Sequence, residues 1–333
     1  MSAGAAPAVV VTYPGFDEAD EATGGALRAA GLAIRFEPRV RERSPAEVIG
    51  FMREAVAGIV STDPFTPEVL SACPHLRVLA RVGVGFDTID IEAATGAGVA
   101  VTTTPGLNSE TVADHTLALM LACVRKVAEN DASIRRGEWD RAGRYLGSAL
   151  SGATVGLIGL GTIGQAVARR LQGFGVRLLG FDPVADGVVH VARVGLHELL
   201  RESDVVSLHV PLSDATHQLI GAPELALMRP TAILINTARG RLIDEGALVR
   251  ALREGRLASA GLDVFEHEPP VGSPLLELPQ IVLSPHIGGI GKAAQQAMLE
   301  MATAGVVAVL EGREPAGLVN TGVLTRAASV APG

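Results

Sequence analysis

Three polar clusters in the C-terminal half of the chain each follow an apolar run that predicts a strand. Residues 236–240 contain Arg239, whose guanidinium can pair with both oxygens of a carboxylate and polarise a neighbouring carbonyl. Residues 263–270 are rich in acids, and residues 284–289 contain His286, a residue type that exchanges protons near neutral pH. Each cluster alone also fits a structural interpretation, as a surface arginine, a solvated acidic loop or a hydrogen-bonding histidine.

A glycine-rich turn lies upstream of these clusters, where an apolar strand over 154–159 runs into a helical pattern. Gly159, Gly161 and Gly164 have the spacing of a dinucleotide-binding turn. Gly159 allows the tight turn, Gly161 leaves room for a pyrophosphate, and Gly164 lets the helix pack close to the sheet. The helix N-terminus then offers free N–H groups to the phosphates.

The next predicted strand, over 176–181, ends at Asp182, which is 18 positions after Gly164. A carboxylate at this place accepts hydrogen bonds from an adenosine ribose and repels a 2′-phosphate. Residues 183–186 supply no basic side chain. The pattern predicts NAD (NADH) rather than NADP as the cofactor, with a plain turn-forming role for Asp182 as the alternative.

The clusters and the glycine turn together suggest one reaction. A 2-hydroxy acid loses a hydride from carbon and a proton from its hydroxyl, so the enzyme needs a carboxylate clamp, a base and a partner for the protonated base. Arg239, His286 and one of the glutamates of residues 263–270 would fill these roles beside a nicotinamide.

Strand and helix patterns alternate throughout, which predicts an α/β fold with parallel sheets. The fold class expected is two doubly wound parallel-sheet domains, a Rossmann NAD domain inserted into a flavodoxin-like substrate domain. Residues 1–103 and 290–333 would form the substrate-binding domain and 104–289 the NAD-binding domain. The strands predicted are 8–12, 32–36, 58–61, 77–80 and 99–102 in the first domain, and 154–159, 176–181, 205–209, 232–235, 259–263 and 281–283 in the second. Helices are expected over 18–30, from Ser44, from Thr66, over 109–124 and from Gly291 to about Glu311.

Composition excludes several classes of function. The formal charge of −8 disfavours binding of nucleic acid or of an anionic membrane. No run approaches the roughly 18 uncharged apolar residues of a membrane-spanning helix. Cys73 and Cys123 show no ligand spacing, and no carboxylate or cysteine is suitably spaced from His209 and His217, so no metal is expected. A soluble, cytoplasmic protein is expected.

An ordered series of motifs resembles the D-isomer-specific 2-hydroxyacid dehydrogenase family, within it the D-3-phosphoglycerate dehydrogenase-like branch. The motifs are residues 81–90, 104–115, the glycine turn, 208–212, 236–240, 262–266 with Glu268-Pro269, and 284–288, and they cover nearly the whole chain. The resemblance implies that His286 exchanges the proton, Glu268 holds the imidazole and Arg239 grips the keto acid. Glu268 is preferred to Glu266 because it immediately precedes Pro269, as in the family.

The resemblance also implies the ligand contacts. The cofactor would meet Gly159, Gly161, Thr162, Ile163, Gly164, Asp182, His209, Pro211, Thr216, Thr237, Asp263 and Gly288. The substrate would meet Arg81, Val84, Gly85, Arg239 and His286.

The family pairs its cofactor domains into a homodimer through an arm, which here includes residues 120–147 with Trp139, Arg141 and Arg144. The partner molecule would be a small 2-hydroxy or 2-keto acid. D-3-phosphoglycerate is one expected substrate, since Arg81 together with Arg141 or Arg144 of the partner subunit could contact a phosphate. Each of these arginines fits the interpretation of a surface ion-pair residue equally well. A glyoxylate/hydroxypyruvate reductase and a non-catalytic NAD(H)-sensing, corepressor-like protein are the alternatives.

Overall fold

The computed structural model describes residues 6–141, 143, 145–185 and 187–324. The chain divides into two compact units. Met1–Asn108 and Gly291–Gly333 form the first unit, and Ser109–Ile290 form the second. The second unit is thus inserted in the sequence of the first, and its limits differ by a few residues from the expected 104–289.

The first unit has a five-stranded parallel sheet with the order β2-β1-β3-β4-β5, the order of flavodoxin-like folds. Val9 and Val11 belong to one apolar cluster and Val10 to another, so both faces of the sheet are buried. The strands are β1 (Ala8–Val11), β2 (Ala33–Phe36), β3 (Ala55–Val60), β4 (Val78–Arg81) and β5 (Ala100–Thr102). The helices before the insertion are α1 (Ala26–Ala29), α2 (Pro45–Met52), α3 (Pro67–Ser71) and α4 (Ile91–Gly96).

Local capping explains where two of these helices begin. Ser44 and Glu47 form the capping box expected ahead of α2, with Pro45 as the first helical residue. The helix predicted from residue 18 starts later, as a π-helical turn over Glu21–Gly25 that leads into α1. The carboxylate of Asp20 accepts the Thr23 N–H at 2.9 Å, and this cap sets the start of the turn.

The second unit has a seven-stranded parallel sheet with the order β12-β11-β10-β9-β6-β7-β8, the Rossmann order with one further strand. Apolar clusters bury both faces, which confirms the predicted fold class. The strands are β6 (Thr154–Ile158), β7 (Arg177–Phe181), β8 (Ala192–Arg193), β9 (Val205–Leu208), β10 (Ile233–Asn236), β11 (Ser259–Leu262) and β12 (Ile281–Leu283). The helices are α5 (Ser109–Arg125), α6 (Val127–Arg135), α7 (Thr162–Leu171), α8 (Leu196–Glu202), α9 (Ala222–Leu227) and α10 (Glu245–Arg253). Strand β8 was not predicted, because two exposed residues carry no periodic pattern.

The final helix, α11 (Lys292–Leu310), returns to the first unit. By length and composition this helix of 19 residues could cross a membrane, although it contains the charged residues Lys292 and Glu300 and is not the uncharged apolar run considered above. Met298, Ala302 and Val306 belong to an apolar cluster of the first unit's sheet. Helix α11 is therefore a core helix of that unit.

Candidate active site

The glycine turn joins β6 to α7, and its three glycines meet different constraints. Gly159 has a φ of +97°, and a Cβ there would lie 2.6 Å from the His209 carbonyl carbon. A Cβ on Gly164 would lie 2.1 Å from the Gly159 carbonyl oxygen. At Gly161, no described atom outside its own chain neighbours lies within 4 Å of the Cβ position. The first and third glycines are thus required by packing, and the middle one leaves space that fits a pyrophosphate above the N-terminus of α7.

Asp182 directly follows β7 and binds the backbone of the glycine turn. Its carboxylate accepts the N–H groups of Leu160 at 2.8 Å, Val184 at 2.8 Å and Ala185 at 2.9 Å. Burial raises the pKa of Asp182, but these three hydrogen bonds and the Arg193 charge hold it below its ordinary value. The turn-forming alternative therefore describes a real role of Asp182, and ribose binding by the same ionised group stays a prediction.

Arg193 was missed by the sequence reasoning, which looked for basic residues only in the segment directly after Asp182. Its guanidinium Nη2 donates to the Asp182 main-chain carbonyl at 2.6 Å. Arg193 lies on β8, the strand that pairs with β7, so only strand pairing brings its charge to this position.

The segment after β9 contacts the glycine turn through its backbone. His209 Nε2 lies 3.0 Å from Ser207 Oγ, and burial lowers the pKa of His209 to about 4. This imidazole is therefore neutral at physiological pH. Farther along, the hydroxyl of Thr216 donates to the Pro211 carbonyl at 2.7 Å, which closes the loop on itself. Contacts of His209, Pro211 and Thr216 with the adenine stay predictions.

Arg239 lies in a loop whose backbone is held by hydrogen bonds from the Asn236 side chain. The Asn236 side chain is fully buried; its Nδ2 donates to the Arg239 carbonyl at 2.8 Å, and its Oδ1 accepts the Ala238 N–H at 3.0 Å. Thr237 Oγ1 lies 2.8 Å from Thr116 Oγ1 of α5, also buried. Asparagine at the end of β10 therefore determines the course of the loop that carries the arginine.

The structure brings Glu268 and His286 together, with His286 Nδ1 at 2.7 Å from Glu268 Oε2. Glu268 Oε1 accepts the Phe265 N–H at 3.2 Å. Burial raises the pKa of Glu268, but the hydrogen bond and charge of His286, the Phe265 N–H and the Arg239 charge bring the net pKa below its ordinary value. The geometry thus pairs a carboxylate with an imidazole whose other nitrogen, Nε2, can exchange a proton.

The loops that carry Arg239 and Glu268 meet at Gly240. A Cβ there would lie 1.9 Å from the Phe265 carbonyl carbon, so only glycine fits without displacing a backbone. Next to this contact, Glu245 of α10 accepts the Glu266 N–H at 2.6 Å. Glu266 is therefore held by its backbone, while Glu268 supplies the carboxylate that meets the histidine.

Asp263 directly follows β11, and its side chain is about 1% exposed. Its carboxylate accepts the Ile287 N–H at 2.9 Å and the Gly288 N–H at 2.7 Å. These bonds support a role in holding the loop that carries His286, and the cofactor contacts expected of Asp263 and Gly288 stay predictions. His115 and Ser284 also contact Asp263, and both were missed as site residues although their motifs were recognised.

The remaining predicted residues belong to the first unit. Arg81 ends β4, is about 7% exposed, and its guanidinium donates to the neighbouring Val82 carbonyl. Val84 is exposed in the following loop, whose residue Gly83 has a φ of +137° and donates its N–H to Thr104 Oγ1 at 2.9 Å. The contact of Arg81 with the substrate stays a prediction. Arg141 is exposed, and Arg144 lies outside the described residues.

Comparison with known proteins identifies the family. Residues 117–288 match the model of the D-isomer specific 2-hydroxyacid dehydrogenase, NAD binding domain. The chain is 44% identical over 274 residues to a glyoxylate reductase of Thermococcus litoralis, covering 79% of this chain and 83% of the relative. It is 43% identical over 260 residues to a D-3-phosphoglycerate dehydrogenase of Methanocaldococcus jannaschii, covering 77% of this chain and 49% of the relative. The TT0316 protein of Thermus thermophilus has a similar structure, with a TM-score of 0.85, 43% identity, and coverage of 94% of this chain and 99% of that one.

The chain therefore belongs to the D-isomer specific 2-hydroxyacid dehydrogenase family. It is an oxidoreductase that acts on the CH–OH group of 2-hydroxy acids and uses NAD(H), as the glycine turn and the paired acid and histidine indicated from sequence.

The lowered pKa of Glu268 predicts a pH-dependent contribution to stability. Its ionised form stabilises the folded protein above the pKa of an unfolded glutamate, and this contribution is lost as the pH falls through the lower native pKa. Glu268→Gln should lower Tm most near neutral pH, and the difference should shrink below about pH 4. Thermal unfolding of the wild-type protein and the Glu268→Gln variant, from neutral pH to below about pH 4, measures this difference in Tm. Glu198→Gln, at an exposed position of α8, is the control, and a Glu268→Gln effect independent of pH would contradict the prediction.

The contact at Gly240 predicts a steric effect on activity. Gly240→Ala should push the loops of Arg239 and Glu268 apart and lower kcat by about 10-fold to 100-fold, because a displacement near 1 Å is enough for such a loss. Gly173→Ala is the matched control, since no described atom outside its neighbours lies within 4 Å of that Cβ position. Steady-state kinetics of both variants tests the prediction, which equal activity would contradict.

Proposed function

We propose that this enzyme reduces a small, unphosphorylated 2-keto acid, glyoxylate above all, with NADH. The similarity to a glyoxylate reductase over 83% of that relative's length supports this substrate class. A D-3-phosphoglycerate dehydrogenase is the second candidate, favoured by the relative from Methanocaldococcus jannaschii, although the match spans about half of that protein.

The observation that carries the proposed mechanism is the 2.7 Å contact between Glu268 and His286. In reduction, Nε2 of His286 gives a proton to the carbonyl oxygen, and the Glu268 carboxylate stabilises the imidazolium that makes this transfer possible. The guanidinium of Arg239 binds the substrate carboxylate and polarises the carbonyl. NADH, which the glycine turn at Gly161 would hold, would supply the hydride for the carbonyl carbon, so that the products would be a 2-hydroxy acid and NAD.

We assign cofactor binding to the second unit. The open position at Gly161, followed by Thr162 and Ile163 at the start of α7, supports pyrophosphate binding there. Ribose binding by Asp182 and contacts of Thr237 with the nicotinamide end belong to the same proposal. We also propose that the first unit binds the substrate through Val84 and Gly85, and this assignment rests on the family resemblance.

We also propose a homodimer formed through the arm. Four large apolar side chains among the described residues of this segment are exposed, and Trp139 is the most exposed of them at 79%. They are Val127, Ile134, Trp139 and Leu146. Exposed apolar residues grouped on one segment are typical of a protein interface. A cytoplasmic location is part of this proposal, supported by the free and buried thiols of Cys73 and Cys123.

Loss of NADH absorbance with a panel of keto acids tests the substrate. The panel contains glyoxylate, hydroxypyruvate, pyruvate and 3-phosphohydroxypyruvate, and we expect the highest kcat/KM with glyoxylate. His286→Ala should lower kcat by about 100-fold or more while NADH binding, followed by fluorescence, survives. Arg239→Ala should chiefly lower kcat/KM for the keto acid. A preference for the phosphorylated acid would favour the second candidate, and NADH binding without turnover of any panel member would contradict the proposal.

Light scattering coupled to size-exclusion chromatography tests the dimer. The wild-type chain should have twice the mass of one chain, and Trp139→Glu should shift it towards the monomer, because a charge in an apolar interface is costly. Val40→Glu, which also changes an exposed apolar residue but in the first unit, should leave the dimer intact. A monomeric wild-type protein would overturn the proposed assembly.

A further inference from the structure

A polar cluster lies beneath the loop that carries His286, and the mechanism described above does not use it. His115 comes from α5, and Ser284 directly follows β12. His115 Nε2 lies 2.8 Å from Ser284 Oγ and 3.3 Å from Asp263 Oδ1. Ser284 Oγ lies 2.6 Å from the same Asp263 oxygen. Three elements of the second unit thus place a histidine, a serine and an aspartate in mutual contact.

The chemistry of these groups determines the direction of their hydrogen bonds. Asp263 faces N–H and O–H donors, so its carboxylate accepts from all of them. Ser284 has a single hydroxyl proton, and that proton goes to Asp263. The contact between His115 and Ser284 therefore requires the proton to be on Nε2 of His115. The result is a chain of donors, from imidazole to hydroxyl to carboxylate.

The Asp263 carboxylate, at the end of this hydrogen-bond chain, holds the backbone around His286. The Ile287 and Gly288 N–H groups donate to the two carboxylate oxygens of Asp263, and the His286 N–H donates to the Asp263 main-chain carbonyl at 2.8 Å. His286 itself has a φ of +53°, in the left-handed region that few residues other than glycine adopt, histidine more often than most. Such a conformation persists only where its surroundings enforce it. Here the Asp263 carboxylate supplies the acceptors that hold the turn.

We propose that His115 and Ser284 are positioning residues for His286. They lock the Asp263 carboxylate in the one orientation that accepts both the Ile287 and Gly288 N–H groups. That orientation holds His286 where Nδ1 meets Glu268 and Nε2 is free to exchange the proton. The assignment deepens the proposed function and rests on it for its kinetic consequences, while the hydrogen-bond chain is a feature of the folded protein.

Removal of the hydrogen bonds that join His115, Ser284 and Asp263 should have a kinetic effect that general destabilisation of the protein does not have. If the carboxylate turns, His286 loses part of its contact with Glu268, and the imidazolium loses its stabilising charge. The pH at which reduction declines on the alkaline side should then move to lower values. NADH binding should change by less than kcat, because the glycine turn lies at a different strand of the sheet, although Asp263 and Gly288 are expected to meet the nicotinamide end.

The test compares Ser284→Ala and His115→Phe with the wild-type chain in the reduction of glyoxylate. Each variant should lower kcat by about 10-fold to 100-fold and shift the alkaline limb of the kcat profile to lower pH. Ser284→Thr keeps the hydroxyl and His115→Gln keeps an N–H at a similar place, so both should restore most of the activity and the pH profile. NADH affinity is measured for every variant and should change by less than kcat, since the glycine turn is untouched, although Asp263 and Gly288 are expected to meet the nicotinamide end.

Ser203→Ala is the matched control for a buried hydroxyl. Ser203 Oγ donates to the Leu199 carbonyl at 2.7 Å within the same unit, so its loss should lower Tm without moving the pH profile. If Ser284→Ala and His115→Phe lower only Tm, as this control does, the positioning role is overturned. Failure of the conservative variants to restore the pH profile would overturn it as well.

A spectroscopic measurement separates this proposal from the proposed function. The ¹⁵N shifts of the His115 ring in the wild-type chain should show a protonated Nε2, and the assignment can be made by comparison with His115→Phe. If the wild-type protein turns over none of the keto acids, the substrate proposal fails. The ¹⁵N shifts of His115 still decide whether the proposed hydrogen bonds exist. A ring protonated only on Nδ1 would reverse the contact with Ser284 and overturn the inference.

Discussion

The hydrogen bonding of the buried Asp263 carboxylate is the interaction on which the arrangement of the proposed catalytic groups depends. Burial of a charge is costly unless hydrogen bonds satisfy it, and here the hydroxyl of Ser284 and the N–H groups of Ile287 and Gly288 do so. Because those N–H groups belong to the loop of His286, the same hydrogen bonds stabilise the buried carboxylate and determine the conformation of the loop. A carboxylate of this kind therefore couples the stability of the unit to the geometry of its reaction.

Close approach of backbones is the second constraint. At Gly159 and Gly164 the strand, the turn and the helix come so near that a Cβ would collide with a main-chain carbonyl. At Gly240 the same condition joins the loops of Arg239 and Glu268. These contacts leave few ways for the loops to move independently, which is what a reaction that requires aligned groups needs. Gly161 is different, because its missing side chain leaves space for a ligand.

Charges are distributed so that each titratable group can do one task. Glu268 is held ionised beside His286 and Arg239, so it can support a cation that forms on the imidazole. His209, close to the glycine turn, is held neutral by burial and can act only through hydrogen bonds and packing. Asp182 is ionised because backbone N–H groups surround it, in spite of its burial. Two histidines of one unit thus differ in role through their surroundings and not through their chemistry.

The sequence by itself determined the two parallel sheets, the glycine turn and the residue types of the proposed active site, because apolar periodicity, glycine spacing and motif order are local properties that the chain displays directly. The capping box of Ser44 and the strand that ends at Asp182 were predictable for the same reason. Strand β8, the position of Arg193 and the contacts of His115 were not, since they arise where strands and helices distant in sequence pack together. Sequence also left Glu266 and Glu268 open until family resemblance favoured one of them. Only the folded chain decides the geometry, because the direction of a side chain after a strand depends on the loop packed beside it.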